Sequence, residues 1–288
     1  MSLRFLAYGL LSLLYLFPCH VIAEETPKKL VLGLIPNESP EILKERYTRF
    51  IQHIEQTLNI PVELQTPASY GNVIAEMQAK KIDFAYYGPK SYIEAAEQAN
   101  ARAFVRLLSV DGSEGYHSFI VTLKESGLKQ LSDLKEKRWL YPDPESTSGT
   151  LVPNMFFYLE ARIDPNTYFS QVGYSGSHEK SLLALNAKTA DVVSVSENVL
   201  RRGEGQSWSM DDFQIIWQSE LIPNSVFAYR DDLPTATKIA LKNAVLNFRD
   251  KEGLAQLKVA GFVPAEDADY NFIRKMNDYE KRLLARRQ

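Results

Sequence analysis

The chain has 288 residues, of which 45% are hydrophobic and 24% are charged. This composition is that of an average soluble globular protein, so it excludes collagen-like, coiled-coil and largely disordered classes. The length favours two lobes over one small domain. The formal net charge of −3 supplies no strong positive field, and we therefore expect no nucleic acid partner.

The N-terminal segment has the three-part pattern of a secretory signal peptide. Arg4 precedes an apolar run over residues 5–17, and residues 21–23 end in a small residue that suits a cleavage site. The run is too short for a comfortable transmembrane helix. We predict a signal peptide over residues 1–23; an uncleaved anchor and lipidation at Cys19 are the alternatives. A mature chain of this length without cysteine suits the bacterial periplasm.

Strands and helices alternate along the mature chain. The first part is predicted to contain strand 29–36, helix 42–58, strand 62–65, helix 70–80, strand 82–87 and helix 91–99. The order then repeats as strand 138–141, helix 149–161, strand 171–174, helix 178–187 and strand 190–195, and the chain from Asp232 onwards is mainly helical. This alternation predicts an α/β fold with parallel strands covered by helices on both faces.

Two short polar stretches have the character of crossings between lobes. Residues 111–115 (DGSEG) and 219–225 (SELIPNS) each precede a strand-like segment. We predict a first lobe of residues 24–111 plus 221–288, a second lobe of residues 116–218, and hinges near 111–116 and 218–225. A cleft between two lobes is a preferred ligand site. Two domains with a rigid interface are the alternative.

The segment Asp143 to Thr150 (DPESTSGT) suggests anion recognition. Ser146, Thr147 and Ser148 bring three hydroxyls to the start of a predicted helix, where backbone N–H groups lack intrahelical partners. Such a helix end carries a partial positive charge and receives phosphate-like anions. Ordinary helix capping is the competing explanation, although it requires only one of these hydroxyls.

A second segment repeats this arrangement. His178 lies in the first predicted turn of a helix that follows a strand, where its ring could donate to an anion or simply face solvent. Tyr87 ends a strand at an edge where α/β sheets bind ligands. Tyr116 lies beside the first predicted hinge. For both tyrosines, a place in the core or at the rim is the alternative.

Six segments of this sequence stand in the order found in the periplasmic phosphonate-binding proteins of ABC transporters. They are DFAYYGPKS (83–91), GYHS (115–118), DPESTSGTLVP (143–153), GSHE (176–179), SEN (196–198) and LIP (221–223). The chain thus resembles this family from about residue 30 to 265. The resemblance implies a type II periplasmic-binding-protein fold, in which two α/β lobes with mixed sheets are joined by a two-crossing hinge.

The resemblance also implies a set of ligand-binding residues. The serine–threonine–serine run, here Ser146, Thr147 and Ser148, would hold the phosphonate oxygens, with further donors from Tyr87 and His178, while Tyr116 would line the cleft. Family members that bind aminoalkylphosphonates hold the ligand amine with two acidic residues. One of these positions is Glu197 in this chain, although this residue could also serve only to cap or solvate a loop.

The second acidic position departs from the family pattern, because Ser225 stands there. A buried ammonium with one carboxylate partner is held less well than one with two. We therefore expect a phosphonate or a related phosphorus oxyanion, such as phosphite or phosphate, and not 2-aminoethylphosphonate in particular.

The expected function is capture of this ligand in the periplasm for uptake through an ABC permease, by a monomer. A binding protein that presents its closed form to a membrane sensor kinase is the alternative. A hydrolase is less favoured, since the turn at residues 173–177 lacks the second glycine of G-x-S-x-G. The mature chain also has no cysteine and no H-E-x-x-H, so we expect no catalytic residue, no metal and no cofactor.

Overall fold

The computed structural model describes residues 25–286. The predicted signal peptide and Cys19 lie outside these residues. Within the described range, no helix combines the length and the apolar character that crossing a bilayer requires.

The first sheet has six strands drawn from two separate parts of the chain. They are β1 (Leu30–Leu34), β2 (Val62–Gln65), β3 (Phe84–Tyr87), β4 (Ala101–Leu108), β12 (Val226–Arg230) and β13 (Gly261–Pro264). Their spatial order is β13-β4-β12-β3-β1-β2. β1 pairs in parallel with β2 and β3, whereas the pairs that involve β12 and β13 are antiparallel.

The second sheet has five strands from one continuous stretch of the chain. They are β6 (Ser118–Leu123), β7 (Arg138–Tyr141), β8 (Gln171–Tyr174), β9 (Val192–Ser196) and β10 (Phe213–Gln218). Their spatial order is β10-β6-β9-β7-β8, in which β7 is parallel to β8 and β9, and β6 is antiparallel to β9 and β10.

Helices cover both sheets. Those packed with the first sheet are α1 (Pro40–Leu58), α2 (Tyr70–Gln78), α3 (Pro89–Gln98), α8 (Thr235–Leu246), α9 (Lys251–Leu257) and α10 (Asn271–Ala285). Those packed with the second are α4 (Val152–Met155), α5 (Pro165–Tyr168), α6 (His178–Asn186) and α7 (Glu197–Arg202). Two π-helical turns, Thr147–Leu151 and Phe156–Ala161, flank α4, and short 3-10 turns occur at Lys124–Ser126, Leu131–Leu134, Met210–Asp212 and Asp267–Tyr270. Each sheet with its helices is called a lobe below.

A two-stranded ribbon lies where the chain passes between the lobes. β5 (Gly115–Tyr116) pairs antiparallel with β11 (Ile222–Pro223). Both segments that the sequence marks as crossings therefore meet here, side by side.

The central strands β6 and β9 of the second sheet are buried on both faces, because apolar residues stand at successive positions. In β6, Phe119 and Val121 belong to one hydrophobic cluster, and the intervening Ile120 belongs to the cluster on the opposite face. Strand residues alternate between faces, so a continuous apolar run is the pattern of a strand covered by helices on both sides. This is the packing that the sequence predicts.

The predicted elements occur within a few residues of their expected bounds. The alternation of strand and helix predicts parallel strands, whereas the family resemblance implies mixed sheets, and both sheets are mixed. β4, β10 and β13 are additional strands, and each pairs antiparallel with its neighbours. The alternation of strand and helix predicts parallel neighbours only where a helical crossover joins them. The return strand β12 enters the first sheet from the other lobe, and it lies antiparallel between β3 and β4.

Candidate functional site

A small cavity of about 20 Å³ lies between the lobes. The segments that follow β1 and β3 border it from the first lobe, at Asn37 and Gly88. The segment that follows β7 and the last residue of β9 border it from the second, at Ser146 and Ser196. Carboxyl ends of parallel strands are where open α/β sheets bind ligands, and here two sheets turn these ends towards each other. Ser146, Thr147, Ser148 and His178 are each at most 4% exposed, so the lobes are closed over these residues.

The hydroxyl run lies at this cavity and is almost completely buried. Ser146, Thr147 and Ser148 are each at most 2% exposed. Ser146 is the N-cap of the first π-helical turn, where its Oγ accepts the Gly149 N–H at 3.0 Å. Thr147 Oγ1 accepts the Lys90 N–H of the opposite lobe at 2.8 Å. The run therefore combines helix capping with a position between the lobes.

Gly149 is required at this turn for reasons of space. A Cβ atom at this position would overlap the ring of Pro142 and would lie 2.7 Å from Ser146 Oγ. The glycine therefore lets the turn pack against Pro142. The glycine thus fixes the place of the hydroxyl run.

His178 is held in one tautomer by its partners. Its Nδ1 accepts the Ser196 N–H at 3.2 Å, so the proton of the neutral ring belongs on Nε2. Nε2 lies 3.1 Å from Ser146 Oγ and donates to it. Ser146 Oγ thereby accepts two hydrogen bonds, from His178 and from Gly149, which leaves its own O–H free to donate into the cavity.

The neighbouring donors are neutral as well. Burial lowers the pKa of His178 to about 3, and the nearby positive charge of Arg202 contributes to the same shift. Burial raises the pKa of Tyr116, whose hydroxyl interacts with the hydroxyls of Ser148 and Thr147. These groups therefore keep their protons as hydrogen-bond donors at neutral pH without bringing a charge of their own.

The buried His178 makes folding stability depend on pH. Its pKa is about 3 in the folded chain and 6.5 for an unperturbed histidine, so the unfolded chain binds the extra proton first as the pH falls. The free energy of unfolding should then decrease between pH 6.5 and 3, by up to about 1.4 kcal/mol per pH unit from this group. Denaturant unfolding from pH 7 to 4 should show a smaller decrease for His178→Gln than for the unmodified protein. His53→Gln is the control; equal slopes for His178→Gln and the unmodified chain would contradict the assignment.

Of the eight predicted site residues, six line the small cavity. They are Tyr116, Ser146, Thr147, Ser148, His178 and Ser225. Tyr87 does not, since it is fully buried in the first lobe with its hydroxyl 3.5 Å from the sulfur of Met77. Tyr86 lines the cavity instead. Successive strand residues point to opposite faces of a sheet, and only one of two adjacent tyrosines can face the cleft.

Glu197 does not line the small cavity either. One of its carboxylate oxygens accepts the His117 N–H at 3.0 Å, and the other pairs with Arg201 at 2.8 Å. The residue borders a larger neighbouring cavity. The second of the two amine-binding positions is occupied by Ser225. Neither position therefore places a free carboxylate in the small cavity.

Several residues that line the small cavity are not predicted by any pattern in the sequence. They include Asn37, Tyr70, Tyr86, Asn198 and Arg202. Arg202 is 9% exposed and brings a positive charge to the cavity wall. In the sequence it is one of two successive arginines at the end of a helix, where cations are common because of the helix dipole.

Arg202 also connects the lobes. Its guanidinium, at the end of α7, lies 3.0 Å from the carboxylate of Glu38, which precedes α1 in the first lobe. The same carboxylate pairs with Arg46 at 2.6 Å. All three side chains are at most 10% exposed. Because two arginines share one carboxylate, the cluster of Arg46, Arg202 and Glu38 has one net positive charge beside the cavity.

Further polar contacts join the two lobes. The Lys90 ammonium donates to the carbonyl of Pro144 at 2.7 Å, and Asn154 donates to Glu280 at 2.7 Å. The Tyr70 N–H donates to Asp143 at 3.3 Å. These contacts and the Arg202–Glu38 pair together join the two lobes. Among residues 25–286, no group of three or more histidine, cysteine, aspartate and glutamate side chains is arranged to hold a metal ion.

Known proteins are similar to this chain in sequence and in fold. Residues 32–270 match the family model described as the ABC transporter, phosphonate, periplasmic substrate-binding protein. The phosphonates-binding periplasmic protein of Escherichia coli K12 is 33% identical over 269 residues, which cover 91% of this chain and 78% of that one.

Solved structures of binding proteins superimpose on this chain. A binding protein component of an ABC phosphonate transporter from Pseudomonas aeruginosa superimposes with a TM-score of 0.83 at 28% identity, covering 90% of this chain and 88% of that one. PhnD1 from Prochlorococcus marinus, solved in complex with methylphosphonate, gives a TM-score of 0.81 at 21% identity, with coverage of 89% and 99%. These neighbours have the type II periplasmic-binding-protein fold, whose two α/β lobes and mixed sheets are those described above.

The family consists of substrate-binding transport proteins and not of enzymes. The model match over most of the chain and the identity to the Escherichia coli protein show that this chain belongs to the periplasmic phosphonate substrate-binding proteins of ABC transporters.

Proposed function

We propose that the small cavity captures a phosphonate or a related phosphorus oxyanion and that the closed protein delivers it to an ABC permease. The observation that carries this proposal is the convergence of buried neutral donors from both lobes at one enclosed point. A tetrahedral oxyanion presents acceptors in several directions, and such a set of donors can satisfy them. Hydrogen bonds to a charged acceptor are worth roughly 1.5–3 kcal/mol each.

The proposed ligand-binding residues are the six predicted ones that line the cavity, together with Tyr86 in place of Tyr87. Ser146 is central among them, because the bonds it accepts from His178 and Gly149 direct its own O–H into the cavity. Ser148 of the second lobe and Tyr116 of the β5–β11 ribbon supply further hydroxyls. Arg202 adds positive charge at the wall.

The proposed mechanism is closure of the two lobes around the ligand. The hinges are the segments near 111–116 and 218–225. These segments contain the short strands β5 and β11, which pair over only two residues each. In an open form the donors of the two lobes would be separated and wet. A ligand that bonds to both lobes binds the closed form more strongly, and it therefore shifts the equilibrium towards closure. This form, as a monomer in the periplasm after removal of residues 1–23, would meet the permease.

The ligand preference follows from the cavity walls. Glu197 is engaged by His117 and Arg201, and Ser225 carries no charge. An ammonium group would find no free carboxylate at the small cavity, while Arg202 would repel it. These contacts favour phosphate, phosphite or methylphosphonate over 2-aminoethylphosphonate.

Isothermal titration calorimetry with phosphate, phosphite, methylphosphonate and 2-aminoethylphosphonate tests the proposal. We expect saturable one-to-one binding of at least one of the first three, with a dissociation constant in the micromolar range or below. 2-Aminoethylphosphonate should bind more weakly. A protein that is folded by circular dichroism and binds none of the four would contradict the proposal.

A further inference from the structure

A second cavity, of about 510 Å³, adjoins the small one. Asn198 and Arg202 line both cavities, so α7 forms a common wall. The larger cavity also reaches the segment before the β5–β11 ribbon and Lys258 at the end of α9. Its volume is that of a small-molecule site.

The basic side chains at this cavity outnumber their acidic partners. Arg201 is paired with Glu197, and Arg202 shares Glu38 with Arg46. The Lys258 ammonium donates to the Arg202 carbonyl at 2.6 Å. Within residues 25–286, no carboxylate lies within 4.0 Å of this ammonium, so its charge has no ion-pair partner there.

The surroundings of Lys258 are positive. Burial lowers the pKa of Lys258, the charges of Arg46 and Arg202 lower it further, and the charge of Glu38 opposes this shift without reversing it. Arg202 and Lys258 line the larger cavity. An anion placed beside these two groups would relieve their mutual repulsion, whereas an ammonium group would add to it. Asp111 is the acidic side chain at this cavity besides Glu197, and it accepts the Ser113 N–H beside it.

We propose that the larger cavity holds the substituent of an organophosphonate that carries a second anionic group, such as a carboxylate, while the small cavity holds its phosphonate. This inference rests on the proposed function. The shared wall of Asn198 and Arg202 lets one ligand reach both spaces, and Lys258 supplies the charge for the second group. The substrate class is then a phosphonocarboxylate and not an aminoalkylphosphonate.

Calorimetry with methylphosphonate, phosphonoacetate, 3-phosphonopropionate and 2-aminoethylphosphonate tests the inference. At least one phosphonocarboxylate should bind about fivefold more tightly than methylphosphonate, and the aminoalkyl ligand should bind most weakly. Lys258→Gln should remove this advantage and leave methylphosphonate affinity within about twofold. Lys251→Gln, an exposed lysine of the same helix, should change neither affinity.

The outcomes separate this inference from the proposed function. If methylphosphonate binds and both phosphonocarboxylates bind no better, the larger cavity is not an anion subsite, and the proposed function stands. If Lys258→Gln weakens the binding of methylphosphonate and of the phosphonocarboxylate equally, Lys258 affects closure through its bond to Arg202 and does not contact the ligand. This result would also overturn the inference. If none of the four ligands binds, both proposals fail.

Discussion

Ser146→Ala combined with Thr147→Ala should weaken methylphosphonate binding by more than about tenfold, equivalent to about 1.4 kcal/mol. The double change removes the hydroxyl that His178 and Gly149 direct into the cavity, and it removes the oxygen that accepts the Lys90 N–H from the other lobe. Calorimetry on the purified variant measures the effect.

The control for this variant is a serine that caps a helical turn elsewhere in the same lobe. Ser209 Oγ accepts the Asp211 N–H at 3.2 Å, away from the small cavity. Ser209→Ala should leave the dissociation constant unchanged. The proposed site would be refuted by an unchanged dissociation constant for the double variant, provided that thermal unfolding shows the variant to be folded.

Arg202→Met should also weaken ligand binding by more than about tenfold, because Arg202 acts in two ways in the same direction. Its charge lies at the cavity wall, and its bond to Glu38 joins the lobes. Removing one partner of a buried ion pair costs about 3–5 kcal/mol when the other is left unpaired. In the Arg202→Met variant, Glu38 still pairs with Arg46. We therefore expect the variant to fold, and we expect its weaker binding to come mainly from a less stable closed form.

The neighbouring Arg201 provides a matched control for this prediction. Its side chain is 63% exposed and pairs with Glu197, outside the small cavity. Arg201→Met should leave methylphosphonate affinity within about twofold. Equal affinities of the Arg202→Met variant and the unmodified protein would show that the buried network neither supports closure nor acts on the anion.

The two variants test different parts of one mechanism. Ser146 and Thr147 present donors whose hydrogen bonds form only when ligand is present or the lobes meet. The pair of Arg202 and Glu38 stabilises the closed form even without ligand, and this lowers the free energy that the ligand must supply. The unmodified protein should therefore close more readily than its Arg202→Met variant.

The sequence by itself predicted the features that depend on local patterns. Apolar periodicity located most strands and helices of both lobes, although not β4, β10 and β13, and the hydroxyl run with its glycine marked the helix start at residues 146–149. Collinear motifs indicated the family and its fold, which the comparisons confirm. These inferences succeed because periodicity and helix capping involve residues that are close in the chain.

Only the tertiary structure decided which side chains meet. Tyr86 and Tyr87 are the same residue type on adjacent strand positions, so no local pattern tells which one faces the cleft. Arg202 resembles the exposed Arg201 before it, and it gains its role only because Glu38, 164 residues earlier in the chain, lies against it. Burial and charge pairing depend on contacts between distant segments, and these exist only once the two lobes have folded and closed.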